Sequence, residues 1–320
     1  MAEVGVVERD RDIKALFAQL YDEIHKRIIG ADEVIEHVLI ALFSNGHVLL
    51  ESVPGMGKTL LSKTIASTLE CDFMRVQGTP DLKVSDVLGK VTYDEETGET
   101  KVIKGPIFTN ILLLDELNRS PPKTQSALLE AMEERKVTLG NRTYELPKPF
   151  IVLATQNPLE QEGVFPLPEA QKDRFLFKSI IDYPSVEEEA MIAKSKLHDE
   201  KINSVFNPAE ILIIQKEIKE SITVSASILE YMVKIVQATR TRREIRAGAG
   251  PRATIAFMTA SKTMAFLDGR SEVNVMDVRK LALPVLRHRI ILNQEYIDMG
   301  TTPDYVINKI VESIKAPQSY

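Results

Sequence analysis

Cysteine is almost missing from this chain: Cys71 is the single one among 320 residues. One thiol excludes an intrachain disulfide and supplies no metal framework. That composition suits a reducing cytosol, and Cys71 itself reads as a small buried hydrophobe. No apolar run approaches the ~20 residues that span a bilayer, and Met1 to Asp12 carries six charged residues. Neither a membrane span nor a secretory signal is therefore expected, and the reading is cytoplasmic. A basic excess is missing too, since 40 Lys and Arg stand against 46 Asp and Glu, a net charge of −6. That argues against a surface devoted to nucleic acid, where phosphate neutralisation favours a basic face. Internal repeats and low-complexity tracts are absent as well. What remains is 44% hydrophobic and 27% charged, enough to bury a sizeable core in one large or two ordinary domains.

Residues Asp12 to Phe43 carry apolar positions at helical spacing, broken at Ile28-Ile29-Gly30-Ala31, where Asp32 is expected to cap a second helix. His47 to Leu50 is a short apolar run between Asn45-Gly46 and Pro54-Gly55, the pattern of a buried strand, with a helix expected from Lys58 to about Leu69. Further strands are expected at Phe73–Val76, Ile111–Leu114, Ile151–Ala154 and Phe177–Ile181, with a helix at Thr124–Arg135. Alternating helices and strands apolar on both faces predict an α/β fold, a parallel sheet covered by helices. Val91–Lys104 and Lys136–Pro147 read as two hairpins around Gly-containing turns. From Ser185 onward no strand pattern is read; helices are expected near 185–198, 208–219, 225–240, 252–267, 275–291 and 303–315. The expected division is an α/β core over 1–184 and an all-α domain over 185–320.

The segment Ser52-Val53-Pro54-Gly55-Met56-Gly57-Lys58-Thr59-Leu60 has the form of a phosphate-binding loop between a strand and a helix. Backbone N–H groups and the helix N-terminus point at phosphates, and Gly55 and Gly57 permit close approach. Lys58 supplies a point charge for the β- and γ-phosphates, and the Thr59 hydroxyl ligates Mg²⁺. The first position, normally glycine, is Ser52. In Ile111-Leu112-Leu113-Leu114-Asp115-Glu116 a buried strand delivers two carboxylates at its C-terminal end, the edge at which open parallel sheets bind ligands. Asp115 would hold Mg²⁺ through water, and Glu116 would act as general base on the attacking water. Ala154-Thr155-Gln156-Asn157-Pro158 ends another buried strand in an amide, and Asn157 is placed to orient that water. Three arginines are candidates for stabilising transferred charge on a γ-phosphate: Arg119, Arg174 in Asp173-Arg174-Phe175, and Arg252 in Gly250-Pro251-Arg252-Ala253. Spacing alone does not separate these roles from surface salt bridges.

With these residues in place the chain resembles the MoxR family of AAA+ ATPases over nearly its whole length. The most telling stretches are Asp115–Met132, Ala154–Phe175, Gly250–Ala253 and Pro284–Ile290. The resemblance implies an αβα nucleotide-binding core followed by a helical lid, assembled as a ring, usually a hexamer. It implies that Asn157 is sensor 1, that Arg174 is an arginine finger acting on a neighbour's nucleotide, and that Arg252 is sensor 2 on the lid. It also implies that Ile28, Ile29 and Gly30 cup adenine and that both hairpins move with ATP turnover to act on a partner. The implied activity is ATP-driven, chaperone-like remodelling of partner proteins, often proteins with a von Willebrand factor A domain. Two other readings stand beside it: a nucleic-acid-directed machine, for which Lys101, Lys104, Lys136 and Arg142 lie in or beside the hairpins, and a nucleotide-binding scaffold with weak hydrolysis.

Overall fold

The computed structural model describes residues 13–93, 100–159, 163–194 and 200–317. Its frame is a five-stranded sheet. The chain forms β1 (Val48–Ser52), β2 (Phe73–Gln77), the hairpin β3 (Gly89–Tyr93) and β4 (Thr100–Lys104), and β5 (Ile111–Asp115). A second hairpin follows, β6 (Lys136–Leu139) and β7 (Arg142–Glu145), and then β8 (Ile151–Gln156) and β9 (Phe177–Ile181). The sheet order is β2-β5-β8-β1-β9, with every pairing parallel. Strands this apolar form the middle of a sheet because both their faces are covered. Successive side chains alternate between faces. Val48, Leu50, Ile111, Leu113, Ile151 and Leu153 enter one core with helices Ile13–His25, Asp32–Phe43 and Lys58–Thr68. Leu49, Leu112, Leu114, Val152 and Ala154 enter a second core with helix Pro122–Glu134.

Both hairpins form where alternation and turn residues place them. The Gly140-Asn141 turn closes β6 on β7, and Gly140 takes φ +63° there. The acidic turn of the first hairpin lies outside the described residues. Asp32 does not cap its helix: the cap position is Ala31, in a left-handed conformation without a side-chain bond. Asp32 sits inside the first turn instead, 2.9 Å from His25 Nε2, where its charge favours the helix N-terminus.

Beyond β9 the chain is mainly helical, over Val186–Lys194, Pro208–Ser221, Ala226–Ala238, Pro251–Leu267 and Pro303–Ser313 among others. Residues 195–198 of the first expected helix fall outside the described residues. The expectation of no strand after 185 is overturned, because β10 (Ile245–Ala247) pairs antiparallel with β11 (Ile291–Leu292). The single helix expected over 275–291 is also overturned. It is two short helices, Val275–Lys280 and Ala282–Leu286, followed by the turn into β11. Restarting at Ala282 puts Pro284 in a first turn, where its missing N–H costs nothing. The turn aims Arg289 back at the core. This buried side chain donates to Asp173 Oδ1 at 2.7 Å, Phe175 O at 2.6 Å and Leu176 O at 3.1 Å, tying the C-terminal helices to the segment that carries Arg174.

Candidate active site

β1 ends at Ser52, and the chain turns through Gly55 at φ +87° and Gly57 at φ +70° into helix Lys58–Thr68. A Cβ at either glycine would meet nothing within 4 Å, so it is the left-handed backbone, not crowding, that calls for glycine. Gly57 occupies the cap position and no side chain caps this helix. Its first N–H groups are therefore available to an anion, as phosphate-binding helix ends require. Lys58 Nζ donates to Ser52 Oγ at 2.7 Å and to Val53 O at 3.2 Å. The serine that departs from the glycine pattern thus has a specific partner, the lysine ammonium.

Strand register brings the second and third motifs to the same edge. Leu50 lies opposite Thr155 and Glu51 opposite Gln156, which sets Asn157 level with Ser52. Leu114 lies opposite Ala154, so Asp115 is level with Thr155. Thr155 is the hinge of the arrangement. Its hydroxyl donates to Asp115 Oδ1 at 2.8 Å and accepts the Glu116 N–H at 2.8 Å. Glu116 itself is held at φ +53°, an uncommon conformation for a residue with a side chain. From the neighbouring strand Arg75 Nη2 reaches Asp115 Oδ2 at 2.6 Å, and Gln77 Nε2 donates to Glu116 Oε2 at 2.9 Å. Arg119 Nη1 stands 3.4 Å from the same Glu116 oxygen. Gly78 packs so closely that a Cβ there would lie 2.1 Å from Glu116 O. Asn157 is buried, with Oδ1 accepting the Leu159 N–H at 3.1 Å.

A cavity of about 500 Å³ opens beside the loop, lined among others by Ile29, Gly30, Gly55, Met56, Gly57 and Leu60. Its size suits a nucleoside. Glu188 closes one wall, its carboxylate so near Gly30 that a Cβ on that glycine would overlap Oε1 at 2.3 Å. Among the described residues no group of three or more His, Cys, Asp or Glu side chains could hold a metal by themselves. A cation bound here would share its ligands with phosphate oxygens, which is how magnesium is usually held. The donors present, the Thr59 hydroxyl and the Asp115 carboxylate, are hard oxygens of the right kind, although Arg75 also claims Asp115.

Arg174 and Arg252 do not line that cavity. They meet each other elsewhere, on Glu133, in a separate cleft of about 360 Å³. The sequence reading singled out the P-loop, acid pair, amide and arginines, but passed over Thr155, Arg75, Gln77, Gly78 and Glu133. Thr155 lies within Ala154-Thr155-Gln156-Asn157-Pro158, and only its register opposite Asp115 gives it a role.

Residues 47–177 match the family described as ATPases associated with various cellular activities (AAA), and residues 237–310 match the AAA lid domain. Chaperone MoxR1 of Mycobacterium tuberculosis is 40% identical over 99% of this chain and 84% of its own length. The chain belongs to the MoxR family of AAA+ ATPases. Protein YeaC of Bacillus subtilis, itself uncharacterised, is 42% identical over 96% of both chains. A crystal structure of a candidate ATPase from Cytophaga hutchinsonii superposes with a TM-score of 0.89 at 39% identity, covering 96% of each chain. As a MoxR-family member the chain is a chaperone-type ATPase, and the nucleic-acid-directed reading is not favoured. Among the described residues no helix is long and apolar enough to cross a membrane.

Proposed function

We propose that the chain hydrolyses Mg-ATP at the edge where β1, β5 and β8 end, and that it spends the cycle on remodelling partner protein complexes as a cytoplasmic homo-oligomeric ring. In this reading residues 1–184 are the nucleotide-binding core and 185–320 the lid. Pro54 to Leu60 wrap the phosphates, with Lys58 on the β- and γ-oxygens. Thr59 and Asp115 would hold magnesium, which would supply charge neutralisation on the phosphates. Glu116 takes the proton of the attacking water and Asn157 fixes that water's position. Ile29 and Gly30 receive the adenine.

The observation that carries the reading is the Thr155 hydroxyl, which bonds Asp115 and the Glu116 backbone together one strand from the P-loop. Arg174 and Arg252 sit away from the chain's own cavity and beside each other. That placement supports both of them acting on the nucleotide of the next subunit, as in a hexamer. The exposed hairpins, with Tyr93 and Ile103 on the first, are the surfaces best placed to meet a client. Proteins with a von Willebrand factor A domain are the proposed partner class.

Glu116→Gln should abolish steady turnover while sparing ATP binding, and Lys58→Ala should lose binding itself. Arg174→Ala should bind ATP without turning it over, and adding Glu116→Gln protein should restore some turnover through mixed interfaces. Wild-type hydrolysis by Glu116→Gln would refute the general-base assignment. Absence of recovery at any mixing ratio would refute action between subunits.

A further inference from the structure

We propose that Glu133 is a positioning residue that presents Arg174 and Arg252 together to the neighbouring subunit's nucleotide. The assignment rests on the reading above that these arginines act between subunits. Glu133 is near the C-terminal end of helix Pro122–Glu134, the helix that starts just past the acid pair. One carboxylate oxygen lies 3.0 Å from Arg174 Nε and the other 2.7 Å from Arg252 Nη2. Arg174 comes from the segment before β9, and Arg252 from the first turn of lid helix Pro251–Leu267. Their guanidinium groups are thus fixed relative to each other by a single side chain whose two oxygens cannot separate.

The surrounding charges show what the cluster is suited to. Asp173 Oδ2 is 3.7 Å from Arg252 Nη1 and its Oδ1 is 2.7 Å from Arg289 Nε, so three guanidinium groups share two carboxylates. Arg289 is buried and spends its donors on Asp173, Phe175 and Leu176. The excess positive charge is left on the two outer arginines, which remain partly exposed beside the cleft. Glu133 meets Arg174 at Nε, 3.0 Å away, and the arginine side chain stays partly exposed. A guanidinium carries five N–H donors, so one carboxylate contact leaves donors for a phosphate. Exposed ion pairs contribute little to stability by themselves, so a purely structural Glu133 would leave kinetics unchanged on removal. Positioning is different: a displacement of about 1 Å in a group that must meet the reacting phosphate costs on the order of 10²-fold in rate.

The test uses the full chain with Glu133→Ala and the near-isosteric Glu133→Gln, comparing turnover at saturating ATP, ATP affinity by calorimetry, and melting. Glu133→Ala should lower kcat by about 10- to 100-fold with ATP affinity and melting little changed. Glu133→Gln, with one good acceptor left, should fall between it and the wild type. Added to a variant carrying both Arg174→Ala and Arg252→Ala, the Glu133→Ala change should cost almost nothing more, because both arginines it acts through are already gone. Mixing Glu133→Ala with Glu116→Gln protein should restore turnover, as is expected for Arg174→Ala. Wild-type or faster turnover by both Glu133 variants would overturn the assignment. So would recovery of Arg174→Ala but not of Glu133→Ala on mixing, since Glu133 would then act on its own subunit's site. Failure of Arg174→Ala itself to recover would instead overturn the reading of action between subunits, and this assignment with it.

Discussion

Thr155→Val changes one buried hydroxyl to a methyl group of nearly the same size, and the structure sets what that removes. Thr155 is 1% exposed, and its Oγ1 both donates to Asp115 and accepts from the Glu116 N–H, each at 2.8 Å. Losing a hydrogen bond to an ionised carboxylate costs about 1.5–3 kcal/mol, and leaving the Glu116 N–H unpaired costs about 1–3 kcal/mol. The two losses share one site and are not additive, so unfolding free energy should fall by about 2–5 kcal/mol. The kinetic effect comes from the backbone. Glu116 is held at φ +53°, a conformation that costs about 1–3 kcal/mol and persists only when its surroundings enforce it. Without the Thr155 acceptor the peptide relaxes and the carboxylate shifts, which at about 1 Å lowers kcat on the order of 10²-fold. ATP affinity should stay close to the wild-type value, because Lys58 and the loop N–H groups are untouched. Phosphate release at saturating Mg-ATP, urea unfolding and calorimetric ATP titration read the three quantities. Thr155→Ser keeps the hydroxyl and should recover most of the rate. Turnover of Thr155→Val within about twofold of the wild type, with an unmoved urea midpoint, would refute the reasoning.

Ser52→Ala removes an acceptor that holds Lys58 Nζ at 2.7 Å and competes with phosphate for it. ATP should bind about 3- to 10-fold more tightly, matching the ~0.5–1.5 kcal/mol net value of a hydrogen bond, and weaker binding would mean that Ser52 orients the lysine instead. Burial pushes His37 down to about 3 and holds His47 and His288 well below the ordinary histidine range. Below about pH 6.5 the unfolded chain therefore takes up protons that the folded chain refuses, and stability falls as pH drops from there toward 3. Each histidine contributes a slope of up to about 1.4 kcal/mol per pH unit. His37→Gln, measured by urea unfolding between pH 7 and 5, should flatten the curve, and an unchanged slope would contradict the assignment of His37.

The phosphate loop was legible because its chemistry demands contiguous residues: glycines that reach φ +87° and +70°, then lysine and threonine at a helix start. The acid pair was legible for a related reason, as β5 is buried along its whole length and ends on carboxylate groups. Thr155, Gln77 and Arg75 escaped because their roles are set across strands. Gln77 faces Asp115 only because β2 pairs with β5, and sequence order does not dictate the order β2-β5-β8-β1-β9. The error over 275–291 has a similar origin. Val278, Leu281, Ala282, Val285 and Leu286 keep helical spacing while belonging to two short helices and the residue between them, so periodicity saw one. Glu133 resembled any other acid on an amphipathic helix. Only tertiary packing sets two arginines, one of them from the lid, against it.

The separation of the two clusters gives the Thr155 argument a second, independent outcome. The own-site groups, Lys58, Asp115, Glu116 and Thr155, lie where β1, β5 and β8 end, whereas Arg174, Arg252 and Glu133 meet at another cleft. In a ring, each chain would supply one half of a site on each side. Thr155→Val damages only the half that binds the chain's own ATP, so its arginines should still serve a neighbour. Mixed with Arg174→Ala, it should therefore restore turnover as Glu116→Gln does, although neither variant turns over well alone. An arginine finger is worth about 10³–10⁵ in rate, so even a small share of repaired interfaces would be seen as phosphate released. If Thr155→Val gave no recovery while Glu116→Gln did, the threonine would be supporting the arginine cleft as well, and the two halves would not be separable.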